Sequence, residues 1–183
     1  MQNAMAAGAA GEEEADTFIL WVLIWSELAA FGILIGAFMV AAMLAPADFA
    51  VARLHLNPVI AGVNTLVLLT SGWQAAVAAG KGASISTRRR ALVLAALLGF
   101  AFVAIKFYEY STEIRFAGEA EFRTFFELYF MLTGFHLVHV AFVGVVLLVV
   151  AWRPRAANVV LVTTLWHVID LVWIVMFPIL YLV

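Results

Sequence analysis

Five long, mostly apolar runs, at about 17–45, 57–80, 90–113, 122–151 and 158–183, occupy nearly all of this 183-residue chain. A helix that crosses a bilayer needs about 20 such residues. Lipid offers no partner to an exposed N–H or C=O, so runs of this kind cross as helices whose backbone groups bond within the segment. With 66% apolar and only 12% charged residues, the chain also lies well above the roughly 45–50% apolar content of soluble domains. The sequence therefore predicts an all-α integral membrane protein, a bundle of five transmembrane helices over 17–183.

Short polar breaks separate the runs, which makes successive helices antiparallel neighbours. Alternating the breaks between two sides gathers Lys81, Arg88, Arg89, Arg90, Arg153 and Arg155 on one side, against Arg53, Arg115 and Arg123 on the other. Lys and Arg mark the cytoplasmic side, which predicts a cytoplasmic N-terminus and a C-terminus outside, periplasmic in a bacterial-type cytoplasmic (inner) membrane. Residues 1–16 are small or acidic, without the basic flank and apolar core of a secretory signal, and read as a disordered acidic tail. Their acidic run, Glu12 to Glu14 with Asp16, is either a solvated stretch at the start of a helix or an interaction patch. The net charge of −2 gives no basic footprint, and nucleic acid is excluded as a partner. Having no cysteine, the chain cannot form disulfides, thiolate metal sites or covalent c-type haem links.

Ionisable groups inside a membrane are costly and mark structural ties or functional paths. The runs contain Glu27, then Lys106 and Glu109, then Glu127, His136 and His139, and finally His167 and Asp170. Lys106 and Glu109 are three residues apart, on one helix face, and can neutralise each other; an ion pair and a proton-accessible carboxylate are both open there. His136 and His139, one turn apart, lie at a depth similar to His167 and Asp170 on the next helix. Two readings follow: a metal or haem site built from facing helices, or a hydrogen-bonded lock between them, contributing about 0.6–2 kcal/mol per contact. A small transporter is a third class of function, disfavoured because the polar groups are too localised for a continuous path.

Five pieces of the sequence, taken in order, resemble one family. They are Trp25-Ser26-Glu27; the stretch from Asn64 to Gly72; Tyr108-Glu109-Tyr110; Thr133-Gly134-Phe135-His136-Leu137-Val138-His139-Val140; and Trp166-His167-Val168-Ile169-Asp170-Leu171-Val172-Trp173. Their order and spacing resemble subunit III of the haem–copper oxidases, the cytochrome c oxidase subunit III family, in its short five-helix form. Leu137, where most members have glycine between the two histidines, looks more like the branch associated with nitric oxide reductase, the NorE-type proteins. The resemblance implies an accessory subunit with no redox centre or metal of its own and no catalytic residue. It would bind phospholipid and sit beside haem–copper subunit I or nitric oxide reductase subunits, supporting assembly, stability or proton uptake. It implies a first pair of helices splayed from the last three, with lipid between. It makes Glu109, His136, His139, His167 and Asp170 the polar core, with Glu27 secondary, acting as helix locks and with Glu109 exchanging protons. The alternative from the residues alone is a stand-alone haem b or metal protein using His136 or His139 with His167.

Overall fold

The computed structural model describes the backbone of residues 2–182 and the side chains of residues 18 and 20–182. Met1 and Val183, the ends of the expected tail and fifth span, lie outside the described residues, as do the side chains of the acidic run. Six helices follow one another: α1 Gln2–Leu44, α2 Pro46–Arg53, α3 Pro58–Ala79, α4 Ile85–Glu113, α5 Arg123–Trp152 and α6 Ala156–Tyr181. Five of them contain apolar spans, at Leu20–Leu44 in α1 and over the whole of α3, α4, α5 and α6. The fold is an all-helical, five-span membrane bundle.

Local chemistry sets the helix starts. Asn57 Oδ1 accepts from Val59 N and Ile60 N, both at 3.1 Å, while Pro58 occupies the first turn of α3. Ser84 Oγ accepts from Thr87 N at the head of α4, after a turn in which Gly82 takes a φ of 83°. Such caps satisfy amides that no helical carbonyl can reach and contribute about 1 kcal/mol each. Two arginines serve the opposite ends. Arg53 Nη2 donates to Ile179 O in the last turn of α6 at 3.3 Å, and Arg89 donates to Ala151 O and Trp152 O at the end of α5 at 3.1 and 3.0 Å. These carbonyls are among the last four of their helices, which lack an intrahelical partner.

Residues 2–16 carry helical backbone continuous with the first span; the stretch is rich in Ala and Glu, the strong helix formers, which supply the propensity. The break after Pro46 is likewise a short helix, α2, rather than a plain loop.

The splayed arrangement is also corrected. Helices α3, α4, α5 and α6 close into a ring, α3 against α4 and α6, α5 against α4 and α6, and α1 lies outside on the α5–α6 seam. The second span is thus integral to the bundle, because its small and polar residues bind it there. Ser71 Oγ donates to Ala95 O at 2.7 Å, Asn64 Nδ2 to Phe102 O at 3.1 Å, and Trp173 Nε1 to Thr65 Oγ1 at 2.9 Å. Small residues and side-chain bonds of this kind hold helices together where lipid is as apolar as the helix surface. The outlying α1 is held by aromatic rings instead: Phe31 meets Phe135 at 4.9 Å between centroids, and Phe38 meets Phe49 and Phe125 at 5.3 and 5.7 Å.

Close approach inside the ring depends on Gly99, where a Cβ would stand 2.5 Å from Cη2 of the fully buried Trp166. Gly99→Val should therefore lower the stability of the detergent-solubilised protein by about 1–3 kcal/mol, as overpacking does. Gly62→Ala, whose new methyl meets nothing within 4 Å, should leave the thermal midpoint unchanged or slightly raised. Equal midpoints for Gly99→Val and the unaltered chain would contradict this packing.

Candidate functional site

The most concentrated polar chemistry lies between α4, α5 and α6 near their Glu113, Arg123 and Tyr181 ends. Lys106 is fully buried, and its ammonium has three N–H groups and no acceptor. One donates to Glu109 Oε2 at 2.8 Å, one to Tyr129 Oη at 2.6 Å and one to Tyr181 Oη. Tyr181 in turn donates to Glu109 Oε1 at 2.8 Å, so both carboxylate oxygens are occupied. With its proton committed there, the 2.8 Å contact between the two phenols requires Tyr129 to donate to Tyr181. Every donor and acceptor in this set has one consistent assignment. The ammonium also lies over aromatic rings, 4.8 Å from the Tyr129 centroid and 5.1 Å from that of Tyr181, an arrangement that favours a cation.

A second layer extends the set. Thr133 Oγ1 donates to Tyr129 O at 2.6 Å, which leaves Tyr110 as the donor in its 2.5 Å contact with Thr133. Glu113, one turn beyond Glu109, is buried with neither carboxylate oxygen hydrogen-bonded. Tyr129, Tyr181 and Glu113 escaped the sequence reading. Glu113 carried a usable signal, since its spacing of four from Glu109 and seven from Lys106 sets it on the same helix face, whereas nothing local marks either tyrosine.

The histidines take three separate environments. His136 is fully buried in an aromatic box, stacked on Trp173 at 5.1 Å and edge-on to Phe102 at 5.7 Å, and neither ring nitrogen has a hydrogen-bond partner. His139 points to α1 instead. Its Nδ1 lies 2.7 Å from Phe135 O, and since a carbonyl only accepts, Nδ1 carries a proton. Its Nε2 is 2.9 Å from Glu27 Oε2, an ion-pair contact outside hydrogen-bond alignment. His167 is half-exposed, its Nδ1 lying 3.8 Å from Oδ2 of Asp170 on its own helix. Asp170 is buried without a hydrogen-bond partner, and its Oδ2 is in contact with the backbone of Gly72 on α3.

His136 and His139 of α5 are therefore not joined to His167 and Asp170 of α6, although His136 stacks on Trp173 of that helix. One turn of three residues rotates a side chain by about 300°, leaving neighbours about 60° apart; that difference sends His136 inward and His139 towards α1, while His167 and Asp170 face α3. Among the described residues no three His, Asp or Glu side chains converge on a point that could hold a metal ion. His136 and His139 with His167 do not form a ligand set. Glu127 is exposed near the start of α5 and joins none of these groups.

A five-span bundle whose buried polar groups tie its helices to one another has the build of an accessory membrane subunit. The family model for cytochrome c oxidase subunit III matches residues 17–183, and the chain belongs to this family. The cytochrome c oxidase subunit 3 of Synechocystis sp. is 29% identical over 193 residues, covering 97% of this chain and 79% of that protein. The probable cytochrome c oxidase subunit 3 of Mycobacterium tuberculosis is 29% identical over 90% of this chain and 85% of its own. That of Corynebacterium diphtheriae is 30% identical, over 70% and 68%.

The hydroxyl of Tyr181 bonds three buried partners, so Tyr181→Phe should cost about 1–3 kcal/mol of stability in detergent, the usual loss when buried polar groups are left unpaired. Glu113→Leu removes a carboxyl that has no partner, and should leave the thermal midpoint unchanged or raised. A large loss from Glu113→Leu, or none from Tyr181→Phe, would refute the assignment of bonds given above.

Proposed function

We propose that this chain serves as subunit III of an oxygen-reducing haem–copper oxidase, seated beside the catalytic subunit I and carrying no redox centre of its own. The observation that carries this reading is the family match across the entire membrane domain, with relatives named for cytochrome c oxidase. Its work in the complex is to sustain assembly, stability and proton uptake. The Lys106, Glu109, Tyr129 and Tyr181 set locks α4, α5 and α6. His139 with Glu27 adds a polar tie between α5 and α1, while His167 and Asp170 lie together on α6.

The arginine and lysine distribution supports a cytoplasmic N-terminus in a bacterial-type inner membrane. An apolar groove of about 450 Å³ lined by Phe38, Met39, Ala42 and Met43 of α1, with Arg53 among its walls, supports the reading that the chain binds phospholipid, an acyl chain being the part such a lining suits. Leu137 between the two histidines favours a second reading, in which the partner is a nitric oxide reductase.

Affinity purification of the chain from native membranes in mild detergent, with an optical spectrum and mass spectrometry of what accompanies it, tests the proposal. An oxygen-reducing haem–copper subunit I should co-purify in stoichiometric amount, with its haem absorbance. Co-purification of nitric oxide reductase subunits would select the second reading, and a chain that returns alone would overturn both.

A further inference from the structure

Six cations gather at the end of the bundle where α3 and α5 finish and α4 and α6 begin: Lys81, Arg88, Arg89, Arg90, Arg153 and Arg155. Residues 73–91 and 144–160, which make up that end of the four helices, contain no Asp or Glu, and among the described residues none of the six cations is in an ion pair. An excess of Lys and Arg orients a chain in the bilayer, and for that the charges need only be present. Arg89 is also held in place. Its Nε donates to Ala151 O at 3.1 Å and its Nη2 to Trp152 O at 3.0 Å, so a side chain near the start of α4 is fixed across the seam onto the last turn of α5.

Both acceptors are neutral carbonyls, so the two bonds position the guanidinium and leave its charge without a counter-ion. They use two of its five N–H groups, and three are left. One turn deeper in the bilayer on each helix, Val93 and Leu148 line a groove of about 330 Å³ between α4 and α5, with Arg89, Ala151 and Trp152 as its other walls. Trp152 ends its span and is 79% exposed, as an indole at headgroup level is. The groove is therefore cationic at the membrane surface and apolar towards the hydrocarbon. The acidic run near the chain start belongs to α1, which packs on the α5–α6 seam rather than on this one.

We propose that the α4–α5 groove binds an anionic phospholipid, with the phosphate on the Arg89 guanidinium and an acyl chain along Val93 and Leu148. The site lies at the opposite end of the bundle from the groove beside Arg53, and it depends only on the membrane bundle, not on the partner the chain serves. Charge sets the class of lipid. A zwitterionic headgroup brings an ammonium with its phosphate, and at this end of the helices that ammonium finds further arginines and no carboxylate. An anionic headgroup meets attraction alone, as basic pockets between membrane helices provide. The phosphate oxygens accept the remaining guanidinium N–H groups in charge-assisted bonds. Free inorganic phosphate would satisfy Arg89 equally but leave the apolar walls uncovered, whereas an acyl chain covers them.

The test uses the full chain in phosphatidylcholine nanodiscs, to which phosphatidylglycerol or phosphatidylcholine bearing the same photoactivatable acyl chain is added, with the labelled peptides mapped by mass spectrometry. Phosphatidylglycerol should label the peptides containing Val93 and Leu148 several-fold more than phosphatidylcholine does, and millimolar inorganic phosphate should not compete. Arg89→Gln should reduce that label about 10-fold or more, the worth of a hydrogen bond between charged groups. Arg90→Gln, which removes the same charge from a residue outside the groove, should cost far less. Because Arg89→Gln also gives up the bonds to the end of α5, Leu148→Trp supplies a second reading: it fills the groove, leaves Arg89 in place, and should cut the label without moving the thermal midpoint. Equal labelling by the two lipids, competition by free phosphate, equal losses from Arg89→Gln and Arg90→Gln, or undiminished label in Leu148→Trp would each overturn the site. So would a photo-crosslinking residue at position 148 that, in native membranes, captures a protein instead of lipid.

Discussion

A buried ammonium is the group on which this bundle turns. Lys106 is sealed from both lipid and water, and in such a place a cation survives only if its charge and all of its N–H groups are met. Glu109 meets the charge and one N–H; Tyr129 and Tyr181 meet the others. Since these partners come from three helices, satisfying one side chain fixes the relative rotation and depth of α4, α5 and α6. The ring of four helices then closes through α3, whose serine, asparagine and threonine reach across to its neighbours.

That requirement explains the division of labour among the helices. Where helices face each other in the ring, contacts are small residues, side-chain bonds and the Lys106 set, all specific to one register. Among the described residues, the seam that holds α1 is aromatic with a single polar contact, Glu27 with His139, and it is correspondingly less exacting. An accessory subunit needs a rigid body that keeps its outward surface in shape, and it needs polar groups on that surface only where a partner will cover them. The inward network fits the first of those needs.

Much of this was legible in the sequence for reasons of period and length. Apolar runs long enough to span define the helices within a few residues, because the bilayer enforces length, and the spacing of three between Lys106 and Glu109 places them on one face without any tertiary knowledge. The phenols were not legible: Tyr129 and Tyr181 are 23 and 75 residues from Lys106, and only helix rotation decides whether a terminal tyrosine faces headgroups or core. His136, His139, His167 and Asp170 misled for the same reason. Similar depth on adjacent helices is a necessary condition for contact, yet 60° of rotation separates meeting from missing, and no local pattern encodes that angle.

A double-mutant cycle on Lys106 and Glu109, read by thermal unfolding in detergent, tests the central claim most directly. Lys106→Met and Glu109→Leu should each cost about 3–5 kcal/mol by stranding a buried charge, whereas the double variant, with neither charge left, should recover most of that loss. Single losses that simply add in the double variant would show that the pair is not coupled, and that the bundle is held by its apolar packing alone.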